Sequence, residues 1–161
     1  MNTEYLFRRE EYDEAEEILS LYRSALGDPF CTWNEYYPAE SEIRYDLGGD
    51  NLFVLTDGQK IIGACSIITE NEYDSLQCWQ NPSAGEIARI VVHPEYRGRR
   101  LAQSMVEYLA EELRRRGKHA IHLLVACKNI PACRTYMRCG FAVTGNVRMY
   151  ENDYCTCEKI L

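Results

Sequence analysis

Apolar residues recur along the chain at two spacings, and each change of spacing marks a new element. Tyr5-Leu-Phe-Arg8 reads as a short strand. From Asp13 to Leu26 the positions Ala15, Ile18, Leu19, Tyr22 and Leu26 share one stripe of a helix, which Gly27-Asp28-Pro29 stops. Leu52-Phe-Val-Leu55 and Lys60 to Ile68 are strand-like runs on either side of Asp57-Gly58, a pair that supplies positive φ and so predicts a hairpin. Glu86-Ile-Ala-Arg-Ile-Val-Val92 predicts a strand, and Leu101, Met105, Leu109 and Leu113 predict a helix over residues 100–116 with Gly117 as its C-cap. A strand over Ala120–Val125, a helix over 129–139 and two C-terminal strands complete the pattern.

Strand, helix and strand in that order form a βαβ unit, so 86–92 and 120–125 are expected as parallel neighbours. Alternation along the first of them puts Glu86, Ala88, Ile90 and Val92 on one face and Ile87, Arg89 and Val91 on the other. Two regions are less regular. Trp33–Tyr45 has helical character, but Pro38 interrupts it and predicts short turns or a loop followed by a helix. Thr69–Ser83 is polar and acidic and reads as a surface loop, in which Glu70, Glu72 and Asp74 are either solvated or an attraction for a cation.

The 161 residues, 46% hydrophobic and 27% charged, amount to one domain able to bury its own core. A formal net charge of −7 argues against a nucleic-acid binder and against adsorption to anionic membranes. Met1-Asn-Thr-Glu-Tyr5 lacks the basic start and apolar stretch of a signal peptide, and no apolar run approaches a membrane span, so a cytoplasmic location is expected. The eight cysteines include no CxxC pair and no Cys/His group at zinc spacing, and they read as reduced, mostly core residues with no metal. The histidines, His93, His119 and His122, show no nucleophilic partner in the sequence.

One local charge pattern stands out. Arg97, Arg99 and Arg100 sit at the start of the 100–116 helix. A helix N-terminus carries about +0.5 elementary charge and unsatisfied N–H groups, so cations there are unfavourable unless an anion binds among them. Such a turn suits phosphate. Arg114, Arg115 and Arg116 close the same helix, where cations favour the dipole and need no ligand.

Val92-His93-Pro94-Glu95-Tyr96-Arg97-Gly98-Arg99-Arg100-Leu101-Ala102 resembles the Arg/Gln-x-x-Gly-x-Gly/Ala signature of the GNAT superfamily of acetyl-CoA-dependent N-acetyltransferases. Asn129, with Tyr136 seven residues on and Gly140-Phe141 after it, resembles the second signature of that family. The first departs at Arg100, where the family usually has glycine; a side chain there is tolerable if φ is negative. The resemblance implies an α/β fold of the mixed, α+β kind: one GNAT domain over 1–161, a twisted mixed sheet of about six or seven strands with about four helices. Strands 86–92 and 120–125 would splay apart at their C-terminal ends to admit acetyl-CoA. Its pantetheine arm would pair with the backbone of Ile90, Val91 and Val92, and its pyrophosphate would sit on the turn of Arg97, Gly98, Arg99, Arg100, Leu101, Ala102 and Gln103.

The same resemblance makes Tyr136 the proton donor to the departing thiolate and Glu86 a general base for the amine, with backbone N–H groups near Val91 polarising the thioester carbonyl. Each has a plain alternative: Tyr136 as a core aromatic, Glu86 as a strand-end carboxylate in water. Asn129 would cap the second helix and face the gap with Tyr136, and Cys133 on that face is a small buried thiol rather than a nucleophile. Trp33, Tyr36, Tyr37 and Tyr73 would wall the acceptor pocket by analogy, or simply pack. The expected partners are acetyl-CoA and an amine, with a homodimer left open. A non-catalytic acyl-CoA sensor is the rival of another class, and a dinucleotide-binding oxidoreductase is disfavoured because no G-x-G-x-x-G opens either helix.

Overall fold

The computed structural model of the chain describes residues 5–11, 13–69, 78–81 and 84–161. Seven strands form one sheet in the order β1-β2-β3-β4-β5-β7-β6: β1 Leu6–Arg9, β2 Leu52–Thr56, β3 Ile61–Ile68, β4 Ala84–Val92, β5 Ala120–Ala126, β6 Ala142–Met149 and β7 Asn152–Ile160. Helices α1 Ala15–Ser24 and α2 Glu40–Gly48 cover one face, and α3 Leu101–Arg115 and α4 Ile130–Arg138 the other. The expected mixed sheet, hairpin and βαβ unit are all present, and the interrupted region is a turn with a cis Tyr37–Pro38 peptide followed by α2. Most of the 69–83 loop, with Glu70, Glu72, Tyr73 and Asp74, lies outside the described residues.

The apolar stripes account for the layers. Leu101, Met105, Val106, Leu109, Ala110 and Leu113 of α3 are buried against Phe53, Leu55, Ile87, Ile121 and Leu123 of the sheet. Gly85 permits their close approach, since a Cβ there would lie 2.4 Å from Leu113 Cδ2. Gly117, at φ 78, ends α3 with its amide on Arg114 O and that of Lys118 on Leu113 O. On the opposite face Ile18, Leu21 and Tyr22 of α1 and Ile43 of α2 pack on Leu52, Val54, Ala64 and Val91.

All strand pairs are antiparallel except β4 and β5. That parallel pair joins only at Ala84↔Ala120, Gly85↔Ile121 and Glu86↔His122, after which the strands part. β5 keeps all seven residues paired with β7, and β4 stays paired with β3. The sheet therefore forks just beyond Glu86.

A β-bulge corrects the strict alternation expected in β4. Ala64 pairs with Val91 but Ser66 with Ala88, so two residues of β4 stand opposite one of β3, and Arg89 has φ 51. Beyond the bulge the faces exchange: Ile90 and Val92 join Ile87 on the α3 side, while Val91 packs under α1 and α2. The strain of a left-handed arginine is offset by a buried ion pair. Fully buried Asp46 of α2 accepts from Arg89 Nε (3.0 Å) and Nη2 (2.8 Å) and from Ser66 Oγ (2.7 Å), and Arg89 Nη1 donates to the Tyr37 hydroxyl (3.1 Å). Asp46→Ala is expected to leave a buried guanidinium uncompensated and to destabilise the protein by about 3–5 kcal/mol, read as a lower urea midpoint at constant slope.

Candidate active site

The fork opens into a cleft of about 1730 Å³ that runs from the 93–103 turn, between β4 and β5, to the hairpin of β6 and β7. Its floor is Glu86–Val92 on one side and Leu123–Ala126 on the other. The His93 amide donates to Ile62 O at 2.7 Å, so the alternation of antiparallel pairing aims the Val91 N–H at Ala64 of β3. The N–H and C=O groups of Ile90 and Val92 are then the ones that face the gap.

At one end, α3 begins without an acidic residue in its first turn and without a side-chain cap, and Leu101, Ala102 and Gln103 line the cleft. Gly98 has φ 79 and Arg100 φ 58, so the turn makes two left-handed steps within three residues. The condition that position 100 needs a negative φ is overturned: the arginine adopts the conformation a glycine would, at a cost of about 1–2 kcal/mol. Gln103 Oε1 is buried there with no hydrogen-bond partner among the described residues.

The three arginines divide. Arg97 is paired with Asp28 in the turn after α1, and Arg99 donates to the Tyr5 hydroxyl (2.9 Å) and lies over the Tyr96 ring. Tyr96 in turn donates to Asp57 Oδ2 at 2.6 Å; that bond, then the amides of Lys60 and Gln59, hold the Asp57 carboxyl down at about 2. The conflict with the helix dipole is thus met by an internal counter-ion for Arg97, whereas Arg99 rests on a neutral hydroxyl and a ring. Arg97 and Arg100 line the cleft and Arg99 does not.

Tyr136 projects from the last turn of α4 into the cleft, half-buried and edge-on to Phe141 at 5.9 Å. Burial raises its phenol above the ordinary value, so the proton is held firmly. Asn129 is the N-cap of α4, its Oδ1 accepting from the Ala132 amide at 3.2 Å, and it lines the cleft with Tyr136. Cys133 does not line it: its thiol points to Ala126 O at 3.7 Å and burial pushes its pKa up, which favours the unreactive form.

Glu86 stands at the root of the fork, 7% exposed and lining the cleft. That burial sets aside the alternative of a carboxylate in open water. Trp33, edge-on to Tyr22 at 5.5 Å, and Tyr37, held by Arg89, wall the same end, whereas Tyr36 is 79% exposed and lies outside the cleft. Tyr45 and Glu42 of α2, and Tyr150 and Tyr154 of the β6–β7 hairpin, complete the wall. None of these four stood out in the sequence; Tyr150-Glu-Asn-Asp-Tyr154, two aromatics flanking a polar turn between strands, was the available signal. Among the described residues no cluster of three His, Cys, Asp or Glu could hold a metal ion, and no helix is long and apolar enough to cross a membrane.

The chain is similar to known acetyltransferases throughout. It is 22% identical over 138 residues to the L-methionine sulfoximine/L-methionine sulfone acetyltransferase of Salmonella typhimurium, covering 81% of this chain and 75% of that protein. Its fold matches a GNAT-family acetyltransferase of Streptococcus agalactiae with a TM-score of 0.82 at 20% identity, over 98% of this chain and 95% of that one. An acetyltransferase of Salmonella typhimurium solved with its cofactor acetyl-CoA gives 0.75 at 20% identity, over 98% and 94%. The ribosomal-protein-S18-alanine N-acetyltransferase of Escherichia coli gives the same TM-score, identity and coverages. Residues 15–141 match the model of the acetyltransferase (GNAT) family, so the chain belongs to that family of acetyl-CoA-dependent acyltransferases.

Proposed function

We propose that the protein is an N-acetyltransferase that moves the acetyl group of acetyl-CoA to a primary amine by direct attack, with both substrates in the cleft at once. The observation that carries this reading is the fork: a backbone edge of β4 that β5 leaves unpaired, an uncapped helix N-terminus at one end and a carboxylate at the root, with a tyrosine between. The residues present fit acetyl-CoA. Unpartnered amides at the start of α3 and the exposed Arg100 suit a pyrophosphate, the buried Gln103 Oε1 suits a donor of the ligand, and the amides of Ile90 and Val92 suit an extended amide-bearing arm. When bound, acetyl-CoA supplies the activated acyl group as a thioester.

The chain's own groups then divide the proton work. An alkylammonium has a pKa near 10 and attacks only after losing a proton, which Glu86 takes directly or through water. The amide of Ile90 or Val92 stabilises the oxyanion as the tetrahedral intermediate forms. Tyr136 gives its proton to the departing thiolate, and the burial that raises its pKa keeps it protonated until that moment. Trp33, Tyr37, Tyr45, Tyr150 and Tyr154 with Glu42 make the acceptor end aromatic and acidic, which suits a cation. A sensor would need the turn and the edge but neither Glu86 nor Tyr136.

Acetyl-CoA and CoA, but not NAD, are expected to raise the melting temperature, by the equivalent of roughly 2.7 kcal/mol at 100 times the dissociation constant. No shift at saturating CoA would sink the acetyltransferase reading. The acceptor is sought by mass spectrometry over an amine panel that includes L-methionine sulfone, polyamines and alanyl peptides.

Arg100→Gly removes a left-handed side chain, so the free protein should gain roughly 0.5 kcal/mol, about 1–2 °C in melting temperature. Its CoA affinity should fall if the guanidinium meets phosphate; an affinity equal or tighter in calorimetry assigns Arg100 to the turn alone.

Tyr136→Phe keeps ring and packing while removing the proton, so kcat should fall by about 10²–10⁴-fold with KM for acetyl-CoA nearly unchanged. Glu86→Gln should lower the rate less, and rising pH should restore part of it as free amine accumulates. Full activity in Tyr136→Phe would make Tyr136 a core aromatic and pass the acid role to water.

A further inference from the structure

Three buried ionisable side chains stand in a row across the root of the fork. Glu86 on β4, His122 on β5 and Glu158 on β7 are register partners in turn, 7%, 4% and 6% exposed. All three lie on the face opposite α3 and α4, because Ile87, Ile121, Leu123 and Cys157, their neighbours in sequence, belong to the core under those helices. Register partners on one face of adjacent strands have Cβ atoms about 5 Å apart. Glu86 alone of the three lines the cleft.

The far end of the row is fixed by polar contacts. Glu158 accepts from the amides of Gln80 (3.0 Å) and Asn81 (3.3 Å) and from Asn81 Nδ2 (2.8 Å). Burial works to raise its pKa, but these bonds and His122 outweigh it and hold the carboxyl below its usual range. Its Oε2 lies 2.9 Å from His122 Nε2. An ionised carboxylate only accepts, so Nε2 carries hydrogen and Nδ1 is the second polar edge of the ring. Trp79 stacks on the imidazole at 4.0 Å and 8°, which fixes its plane.

A buried histidine satisfied by one carboxylate is common and by itself needs no function. Here it lies between two. Glu86 and Glu158 flank β5 from either side, and a positive charge on the strand between two buried carboxylates eases their repulsion. Among the described residues the charged groups facing His122 are Glu86 from β4 and Glu158 from β7. The next charge on that face of β4, Arg89, is already neutralised by Asp46 of α2, and the 80–81 segment contributes only amide groups.

We propose that His122, oriented by Glu158, is a positioning residue for Glu86: an imidazolium between the two carboxylates keeps Glu86 ionised and ready to take the proton of the acceptor ammonium. The inference rests on the reading of Glu86 as general base, but the coupling on which it depends is measurable without turnover. The proton balance is simple. The ammonium loses an N–H bond, Glu86 gains an O–H bond and later releases that proton through the cleft, and His122 keeps its own.

The test follows the imidazole titrations by NMR in the wild-type protein, Glu86→Gln and Glu158→Gln, with His93 and His119 assigned by their glutamine variants. A carboxylate neighbour favours imidazolium, so the His122 midpoint should fall by about one unit in each acidic variant. An unchanged midpoint in Glu86→Gln overturns the proposal. With an amine from the panel, His122→Gln should move the acid limb of kcat/KM to higher pH while KM for acetyl-CoA holds. A lower rate with an unmoved limb shows a merely structural histidine and also overturns it. Thermal stabilisation by CoA establishes that each variant is folded. If no amine is acetylated, the proposed function fails, and the NMR midpoints still decide whether His122 and Glu86 are coupled.

Discussion

A sheet that forks in its middle leaves backbone donors and acceptors without strand partners, and the rest of this structure is arranged around that defect. β4 and β5 share three register pairs and then separate, although each remains paired along its outer edge, with β3 and β7 respectively. Buried N–H and C=O groups without partners cost about 1–3 kcal/mol each. Such an edge persists where water or a ligand reaches it, and here a cleft runs its length. Packing holds the root closed: α3 sits tightly enough on β4 that Gly85 has no room for a Cβ. The bulge at Arg89 turns the strand beyond the root and exchanges its faces.

The bulge and the turn after β4 are each held by charge pairs from distant parts of the chain. Asp46 and Tyr37 grip Arg89 from the α2 side, Asp28 meets Arg97, and Asp57 and Tyr5 reach Tyr96 and Arg99. Exposed pairs of this kind contribute little to stability singly, whereas the Asp46–Arg89 pair is buried and carries more. Their shared effect is geometric: they set where β4 bends and where α3 begins. Because Arg97 is ion-paired and Arg99 does not line the cleft, the proposed attraction for an anion at that turn rests on the first amides of α3 and on Arg100, rather than on a cluster of three free cations.

What the sequence made legible was periodic or local. The stripe on α3, the Asp-Gly hairpin, the βαβ order and the Asn129 cap all follow from spacing and residue type, and the structure has them. The departures come from left-handed residues that are not glycine. Arg89 at φ 51 is stabilised by a partner 43 positions away, which no window on β4 contains. Tyr150 and Glu151, at φ 49 and 63, make the tight β6–β7 turn without the Asn-Gly that would announce it. In the site, Tyr136 was visible through a motif and Glu86 through its place at the start of a strand, but His122 was an isolated residue in a strand. Its meaning appeared only once the register set it between Glu86 and Glu158.

The two ends of the proposed proton path sit in opposite environments. Tyr136 is surrounded by apolar side chains and neutral thiols, and burial stabilises its protonated form, the form a general acid requires. Glu86 is also buried, and burial alone would neutralise it and spoil it as a base. The imidazole at its register position, anchored by a carboxylate that three further hydrogen bonds hold in place, is on the proposed coupling what counters that tendency. Environments that drive two titratable groups apart are how one fold supplies an acid and a base at the same pH. Here the separation follows from topology: α4 carries Tyr136 on the apolar face of the fork, and the polar row crosses the opposite face at its root, where β4, β5 and β7 are still joined.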